Sequence, residues 1–509
     1  MRETTRRPDP EVTTDAGRLS GDWDGDIAWF RGIPFAAPPA GPDRWRPPRP
    51  AGHWTGLRCA RTFGPAPVQP QPRRDSIMFH ANFADRRSLT MSEDCLYLNV
   101  CTPDPAPGAG LPVMVWIHGG GNRFGYGSQD IHDGGGLARR GVVVVTVNYR
   151  LGALGFLAHP GLASENDEGA SGNYGVMDVL AALRWVRANI RAFGGDPAQV
   201  TAAGNSAGAA IVCHLMAAPG ARGLFARVIG QGSSGIYRAE GAMPAQAEAE
   251  TRGLGYAASF EAPDVAALRQ VSALELSARG HFGPVVDGRV LPADTQEVFA
   301  AGRQAALPLL AGSNRDEGSV YARPADAAEI AALVAANPGL AGLYPVGDEG
   351  DTRRSARMYV GDTRFGWPVW RWALTHARTA GAPAWVYQFD REPPLPAGME
   401  LMPPPDGVAG YGVFHTAELP YMWDNLHTRP WPWAPADRRL AATMADAWVR
   451  FMRAGDPNGA GLPRWPALAT GPEHAIMRFG DVPGLAEPAR LAALHLFDQG
   501  LTDQGRLPA

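Results

Sequence analysis

The sequence predicts an α/β protein built on a large, mostly parallel sheet with helices on both faces. Two continuous apolar runs, residues 112–117 and 142–147, have the composition of buried parallel strands. Residues 176–191 place apolar side chains at helical spacing, and this predicted helix stops at the glycine pair 194–195. Strands and helices that alternate along a chain are typical of a doubly wound sheet.

The remaining elements extend this plan at both ends. Residues 10–60 are expected to form a small β subdomain of short strands and turns, because their prolines disfavour helices. The alanine-rich residues 235–280 are expected to form helices over the sheet, as a cap or a side lobe. The proline-rich stretches resemble surface loops more than linkers, so residues 1–509 are predicted to be one domain. Further strands are expected at residues 227–229, 308–311 and 384–389.

Composition excludes several classes of function. The chain is 45% hydrophobic and 19% charged, as expected for a globular protein with a large core. A formal net charge of −4 gives no reason to expect a nucleic-acid partner. The chain has no lysine, so all 47 basic residues are arginine. Schiff-base chemistry, a lysine-anchored pyridoxal cofactor, a Ser-Lys dyad and a P-loop each need an amine and are therefore excluded.

Neither a membrane nor a metal is expected as a partner. No apolar run approaches the roughly 18 residues that span a bilayer, and no apolar segment follows the basic N-terminal residues. A cytoplasmic location is therefore expected. The four cysteines show no C-x-x-C spacing, and His415 and Glu418 alone do not make a metal site. No cofactor is predicted, and the oligomeric state is left open.

The most informative motif is GNSAG at residues 204–208, directly after the apolar residues 200–203. Glycines on both sides of a serine permit a sharp turn from a strand into a helix. Such a turn exposes the serine hydroxyl at the end of the sheet. Ser206 is therefore the candidate nucleophile.

A serine nucleophile needs a base, and that base needs a carboxylate to orient it. Asp316 and Glu317 both follow the predicted strand 308–311, and their chemistry alone does not separate them. His415 lies in a later glycine-rich loop that can carry an imidazole into a cleft. The chain order serine, acid, histidine is the order that α/β-hydrolase sheets use.

The reaction also needs backbone N–H groups that bind the oxyanion of the tetrahedral intermediate. Consecutive glycines after the strand 112–117 allow the backbone to turn its amides inward. Gly120 and Gly121 are the candidates there, with the amide of Ala207 as a third donor. The same residues contain neither of the glycine-rich phosphate-binding patterns.

Together these motifs resemble the type-B carboxylesterases, of the cholinesterase and bacterial para-nitrobenzyl-esterase kind. The resemblance covers nearly the whole chain. It rests on residues 30–36 (FRGIPFA), 92–100 (SEDCLYLNV), 118–121 (HGGG), 148–156 (NYRLGALGF), 172–175 (GNYG), 193–197 (FGGDP), 316–318 (DEG) and 455–459 (GDPNG).

The resemblance implies an α/β-hydrolase fold and assigns the acid to Glu317 and the base to His415. It also implies two structural ion pairs, Arg44 with Glu93 and Arg150 with Asp178. Animal members bridge the cysteine that corresponds to Cys95. The preceding loop of this chain, residues 63–69, has no cysteine, so Cys95 is expected to be free.

Two departures from the family lie next to the predicted site. Asn205 stands before the nucleophile where the family usually has glutamate, and Asn122 follows the glycine loop where phenylalanine is usual. The loop between Cys59 and Cys95 also lacks the tryptophan that binds choline in cholinesterases. Choline esters are therefore not expected substrates.

The leading hypothesis is a serine carboxylic-ester hydrolase that acts on small, uncharged esters with short to medium acyl chains. Phe124 and Phe282 are predicted to border the substrate pocket, with Phe282 on the acyl side. An alternative is the same triad acting on amides, carbamates or lactones. A further alternative, from a different class, is a non-catalytic adhesion-type binding protein.

Overall fold

The computed structural model describes residues 7–166, 169–238, 241–468 and 475–503. Within these residues the strands are, in chain order, β1 (Glu11–Thr13), β2 (Arg18–Ser20), β3 (Asp22–Asp24), β4 (Ile27–Pro34), β5 (Leu57–Cys59), β6 (Tyr97–Thr102), β7 (Leu111–Ile117), β8 (Val143–Val147), β9 (Gly195–Asn205), β10 (Arg227–Gln231), β11 (Leu309–Asn314), β12 (Ala384–Phe389), β13 (Ile476–Phe479) and β14 (Gly484–Ala486).

The α-helices of the same residues are α1 (Gly135–Ala138), α2 (Gly152–Phe156), α3 (Pro160–Ala163), α4 (Tyr174–Asn189), α5 (Ala207–Ala217), α6 (Gln246–Ala258), α7 (Val265–Gln270), α8 (Ala273–Ala278), α9 (Thr295–Ala300), α10 (Pro324–Ala336), α11 (Glu349–Gly361), α12 (Trp367–Ala380), α13 (Leu419–Met422), α14 (Pro435–Ala454) and α15 (Leu491–Asp503). Short 3₁₀ helices are Gly41–Asp43, Asp130–His132, Ile190–Phe193, Pro219–Ala221, Glu317–Val320, Pro338–Leu340 and Leu426–Thr428, and the segments Phe79–Phe83 and Asp362–Gly366 are π-helical.

One large sheet organises the molecule, with strand order β14-β13-β12-β11-β10-β9-β7-β8-β6-β4-β3. The strands from β8 to β13 in this order pair in parallel, and antiparallel pairs are confined to the two ends. In the register, Ile117 pairs with Gly204, and Asn205 pairs with Gln231. The carboxyl ends of β7, β9 and β10 therefore meet at one edge of the sheet.

Helices cover both faces of this sheet, as the sequence predicts. Alternate side chains of β7 enter two separate cores, because successive residues of a strand point to opposite faces. Val113 and Val115 pack in a core with residues of α4, α5 and α12. Met114 and Trp116 pack in the other core with residues of α1 and α14. The continuous apolar composition of β7 follows from burial on both faces.

The N-terminal addition to the sheet is smaller than expected, whereas the described part of residues 235–280 contains helices as predicted. Only β1, β2 and β5 form a separate small sheet, whereas β3 and β4 extend the main sheet by antiparallel pairing. The predicted helical region 235–280 contains α6, α7 and α8, which share a core with residues of α2, α3 and α4. A second helical insertion, α10 and α11, lies between β11 and β12, and α11 contacts the 3₁₀ turn that begins at Glu317.

Both ion pairs implied by the family resemblance are present. Arg44 makes a two-pronged contact with Glu93 at 2.6 and 2.7 Å, and also donates to the carbonyl groups of Arg269 and Val271 at the end of α7. Arg150 and Asp178 are fully buried and joined at 2.7 and 2.8 Å. The Asp178 carboxylate also accepts the backbone N–H of Arg150 at 3.0 Å. This pair fastens the chain after β8 to α4.

Cys59 is exposed and Cys95, Cys101 and Cys213 are buried, and all four are free thiols. Burial raises the pKa of the Cys95 thiol, so this group stays protonated at neutral pH. Among the described residues, no helix combines the length and the apolar composition needed to cross a membrane.

We expect Asp178→Asn to lower the free energy of unfolding by about 3–5 kcal/mol, because it leaves the buried Arg150 charge without a counter-ion. The control is Glu248→Gln, which breaks the exposed pair between Glu248 and Arg252 and is expected to cost less than about 0.5 kcal/mol. Urea denaturation followed by tryptophan fluorescence measures both. Equal losses in the two variants would contradict a structural role for the buried pair.

Candidate active site

Ser206 occupies a strained turn between β9 and α5. Its backbone has φ 54° and ψ −128°, a conformation that non-glycine residues rarely adopt. The turn packs tightly on β7: a Cβ added to Gly208 would lie 2.0 Å from the carbonyl oxygen of Ile117. Only glycine fits there. The local sequence therefore produces the predicted sharp turn from strand to helix, which we call the elbow, and Ser206 lines a cavity at the edge of the sheet.

His415 and Glu317 form a buried hydrogen-bonded pair beside this cavity. Their Nδ1 and Oε2 atoms are 2.5 Å apart, and both side chains are at most 2% exposed. The other carboxylate oxygen of Glu317 accepts the backbone N–H of Asn314 at 2.8 Å. Because Nδ1 faces a carboxylate, the neutral imidazole carries its proton there and presents Nε2 as an acceptor. In the described chain, Nε2 has no hydrogen-bond partner.

The structure separates the two acids that chemistry alone left open. Asp316 turns away from His415: its Oδ2 accepts the backbone N–H of Val413 at 2.8 Å and pairs with Arg315 at 3.0 Å. Glu317 alone of the two meets the imidazole. Gly232 leaves room for the close approach of this pair, since a Cβ there would lie 3.1 Å from His415 Cε1 and 3.2 Å from Glu317 Oε1.

The glycine loop after β7 runs beside the elbow. Gly120 and Gly121 have φ values of 110° and 63°. Within the described ranges, the N–H groups of Gly120, Gly121 and Ala207 donate to no protein acceptor. Three unused amide donors near a candidate nucleophile are what an oxyanion site requires. Asn122 also has a positive φ, 57°, and its carbonyl accepts the backbone N–H of Gly152 at 2.6 Å.

Beneath the elbow, three buried amide side chains converge on the carboxylate of Glu418. Asn205 Nδ2 and Gln231 Nε2 donate to Oε1 at 3.2 and 3.1 Å, and Asn314 Nδ2 donates to Oε2 at 2.6 Å. The three amides stand at the ends of β9, β10 and β11. We call these three amides and Glu418 the amide clamp.

The cavity that contains Ser206 and His415 is narrow, with a volume of about 40 Å³. In the described part of the chain, no arginine, aspartate or glutamate lines it. Its wall consists of Met78, Asn82, Phe83, Gly119, Gly120, Gln129, His132, Asn205, Tyr321, Thr416 and Leu419.

Aromatic rings pack around His415, and burial keeps Tyr321, His118 and His132 neutral near pH 7. The rings of Phe365 and Tyr321 pack against His415, with centroids 4.8 and 5.3 Å away. Burial raises the pKa of Tyr321 to about 12. Burial also lowers the pKa of His132 well below its usual value, and that of His118 to about 4. A search of the described residues finds no cluster of side chains that could hold a metal ion.

Comparison with known proteins identifies the family of this chain. Residues 8–334 and 344–490 match the carboxylesterase family. The chain belongs to this family. It is 35% identical to fumonisin B1 esterase from Sphingopyxis macrogoltabida, over 94% of this chain and 88% of that protein. It is also 35% identical to para-nitrobenzyl esterase from Bacillus subtilis (strain 168), over 90% of this chain and 92% of that protein.

Solved structures agree with this carboxylesterase assignment. A para-nitrobenzyl (PNB) esterase structure superposes with a TM-score of 0.78 at 30% identity, covering 96% of this chain and all of that one. A carboxylesterase from Geobacillus stearothermophilus gives a TM-score of 0.77 at 31% identity, covering 96% of this chain and 99% of that one. The protein therefore has the α/β-hydrolase fold and is a carboxylic-ester hydrolase.

The predicted site residues of this carboxylesterase fall into two groups. Ser206, His415, Glu317 and the glycine loop come together at the edge of the sheet, as described above. Phe124 and Phe282 are not among the described residues that line the cavity. Phe124 packs against the wall residue Phe83, with ring centroids 6.4 Å apart, and Phe282 packs against Tyr256, with ring centroids 4.9 Å apart.

Sequence reasoning missed Gly232 and most of the amide clamp. Gly232 directly follows β10, and its φ of 61° and close contacts with His415 and Glu317 become visible only in the fold. Glu418 was considered only as a doubtful metal ligand. Its spacing of three residues from His415 was the one available sign that it lies near the site.

Proposed function

We propose that the protein hydrolyses small uncharged esters through a Ser206, His415 and Glu317 triad and an acyl-enzyme. The observation that carries this proposal is the buried His415–Glu317 hydrogen bond of 2.5 Å, with the unpartnered Nε2 beside the cavity of Ser206. A serine hydroxyl is a weak nucleophile at neutral pH. In this arrangement His415 can serve as its base, and the carboxylate of Glu317 orients the imidazole.

In the first half of the reaction, His415 Nε2 takes the proton of Ser206 as Oγ attacks the ester carbonyl carbon. The oxyanion that forms accepts hydrogen bonds from the amides of Gly120, Gly121 and Ala207. The carbonyl re-forms as the alkoxide leaves, and His415 returns the proton to it. Glu317 keeps the imidazole in the required tautomer and stabilises its cationic form throughout.

In the second half, a water molecule attacks the acyl carbon as His415 takes one of its protons. The tetrahedral intermediate uses the same amides; its collapse breaks the bond to Ser206 Oγ and releases the acid, and His415 returns the proton to Oγ. These steps require no metal or redox cofactor.

We also propose that the protein works in the cytoplasm, because free thiols such as Cys95 persist in a reducing compartment.

The cavity wall supports the choice of uncharged substrates. Its side chains carry no fixed charge in the described residues, so an ionic group entering it would lose its hydration without gaining a counter-ion. The narrow volume favours short to medium acyl chains. Phe124 and Phe282 stay predictions as borders of the substrate pocket: Phe124 contacts the wall residue Phe83, whereas Phe282 packs on Tyr256.

Glu317→Gln is expected to lower kcat by about 10⁴-fold, since an amide cannot hold the same tautomer or balance the imidazolium charge. Asp316→Asn is the matched control, because it changes the neighbouring acid in the same way. It weakens the hydrogen bond to Val413 and the partly exposed pair with Arg315, and is expected to cost less than about tenfold in kcat. Steady-state kinetics on p-nitrophenyl butyrate measure both. A larger loss for Asp316→Asn would reassign the acid.

A panel of p-nitrophenyl esters tests the proposed substrate class. We expect kcat/KM to be highest for chains between acetate and hexanoate, and about tenfold or more lower for decanoate and for an ester with an anionic acyl group. Matched amide, carbamate and lactone substrates belong in the same panel. Faster turnover of any of these than of the best ester would replace ester hydrolysis as the preferred reaction.

A further inference from the structure

The amide clamp surrounds the carboxyl group of Glu418 with three N–H donors. Burial and the charge of Glu317 raise the pKa of Glu418, whereas the hydrogen bond from Asn314 lowers it. Since three donors surround two carboxylate oxygens, the partners match a carboxylate better than a protonated acid.

The clamp also joins the chain segments that carry the two reacting groups. Asn205 directly precedes Ser206, and Glu418 lies three residues after His415, so their hydrogen bond links the elbow to the histidine loop. Asn314 holds the same loop on both sides of His415, because its second amide N–H donates to the carbonyl of Phe414 at 2.8 Å. A small shift of either segment therefore changes the position of Ser206 relative to His415.

The charge of Glu418 adds to that of Glu317 around His415. Tyr387, from β12, faces the same two carboxylates, and burial together with their charges raises its pKa well above the usual value. Tyr387 is therefore neutral. On the cavity side, Tyr321 and His132 are neutral as well, and Arg364 is a cation whose charge reaches Tyr321.

The residue at position 205 determines whether the amide clamp contains one carboxyl group or two. The family usually has glutamate at this position, which would place a second carboxyl group against Glu418. An amide instead contributes a donor and no charge. Glu418 can then stay ionised without a like-charged neighbour at the end of β9.

We propose that Asn205 and Glu418 are positioning residues that tie the nucleophile elbow to the histidine loop, and that the Glu418 charge favours the imidazolium of His415. This proposal rests on the function proposed above. It assigns to Asn205 a role in alignment and to Glu418 a role in both alignment and electrostatics.

Glu418→Gln tests both roles because it keeps the shape and removes the charge. We expect kcat for p-nitrophenyl butyrate to fall about 10- to 100-fold with little change in KM, as for a small misalignment of reacting groups. In the pH profile of kcat/KM, the fall in activity at low pH (the acid limb) reports protonation of the base, His415. Loss of a nearby negative charge makes protonation harder, so the limb should move to lower pH, by roughly one pH unit.

Asn205→Asp tests the other side of the same hydrogen bond. It replaces the N–H donor with a carboxyl oxygen that repels Glu418, so kcat should fall about 10- to 100-fold without a shift of the acid limb to lower pH. The double variant, Asn205→Asp with Glu418→Gln, restores one amide and one carboxylate across the bond. Gln231 can turn its unpaired Oε1 toward the new amide. We expect the double variant to regain at least about tenfold in kcat over the weaker single variant.

Asn99→Asp is the control for a buried amide-to-acid change away from the site. Asn99 bonds to Thr146 and to the backbone of Gly32, so its replacement should reduce stability and leave the acid limb unchanged. If Asn205→Asp does not fold, the shift of the acid limb of kcat/KM in Glu418→Gln still tests the proposed role of Glu418.

An unmoved acid limb in Glu418→Gln, or losses that multiply in the double variant, would overturn the proposal. Ser206→Ala is measured alongside. Full activity of Ser206→Ala would overturn the proposed function itself, which is a different result from failure of the clamp variants.

Discussion

Parallel pairing of β7, β9, β10 and β11 is the constraint on which the site depends. Parallel strands end at the same edge, so the glycine loop, the elbow, Gly232 and the turn of Glu317 all start within one small region. Burial of these strands on both faces makes their register rigid. The loops can then hold strained or crowded conformations that an isolated segment would not keep.

Two kinds of interaction position the candidate catalytic groups at that edge of the sheet. The first is close packing at glycines, which have no side chain. Gly208 lets the elbow pack against β7, and Gly232 makes room for the His415–Glu317 pair. Buried hydrogen bonds then fix direction: Glu317 orients His415, and the amide clamp ties Glu418 to the strand ends. Such polar groups are stable inside the protein because nearly every donor in the cluster has a charged or carbonyl acceptor.

The sequence predicted what is encoded locally. The strands β7 and β8 were evident from continuous apolar runs, and the elbow from glycine spacing next to a strand. Asp316 and Glu317 could not be separated by chemistry alone, because the direction of each side chain depends on the turn that they share. The amide clamp could not be predicted as a unit, since its members come from three strands and a distant loop, and the spacing of Glu418 from His415 does not reveal the three amides that it meets. Phe282 was expected beside the cavity but packs on Tyr256, in a helical region whose placement is a tertiary property.

The most direct test of the account is covalent labelling with a fluorophosphonate, followed by peptide mass spectrometry. The account predicts one adduct per chain, located on Ser206, with loss of esterase activity in proportion to labelling. Ser206→Ala should then be both unlabelled and inactive, with its unfolding midpoint unchanged. Labelling of another residue in step with inactivation, or turnover that persists when Ser206 is fully modified, would contradict it.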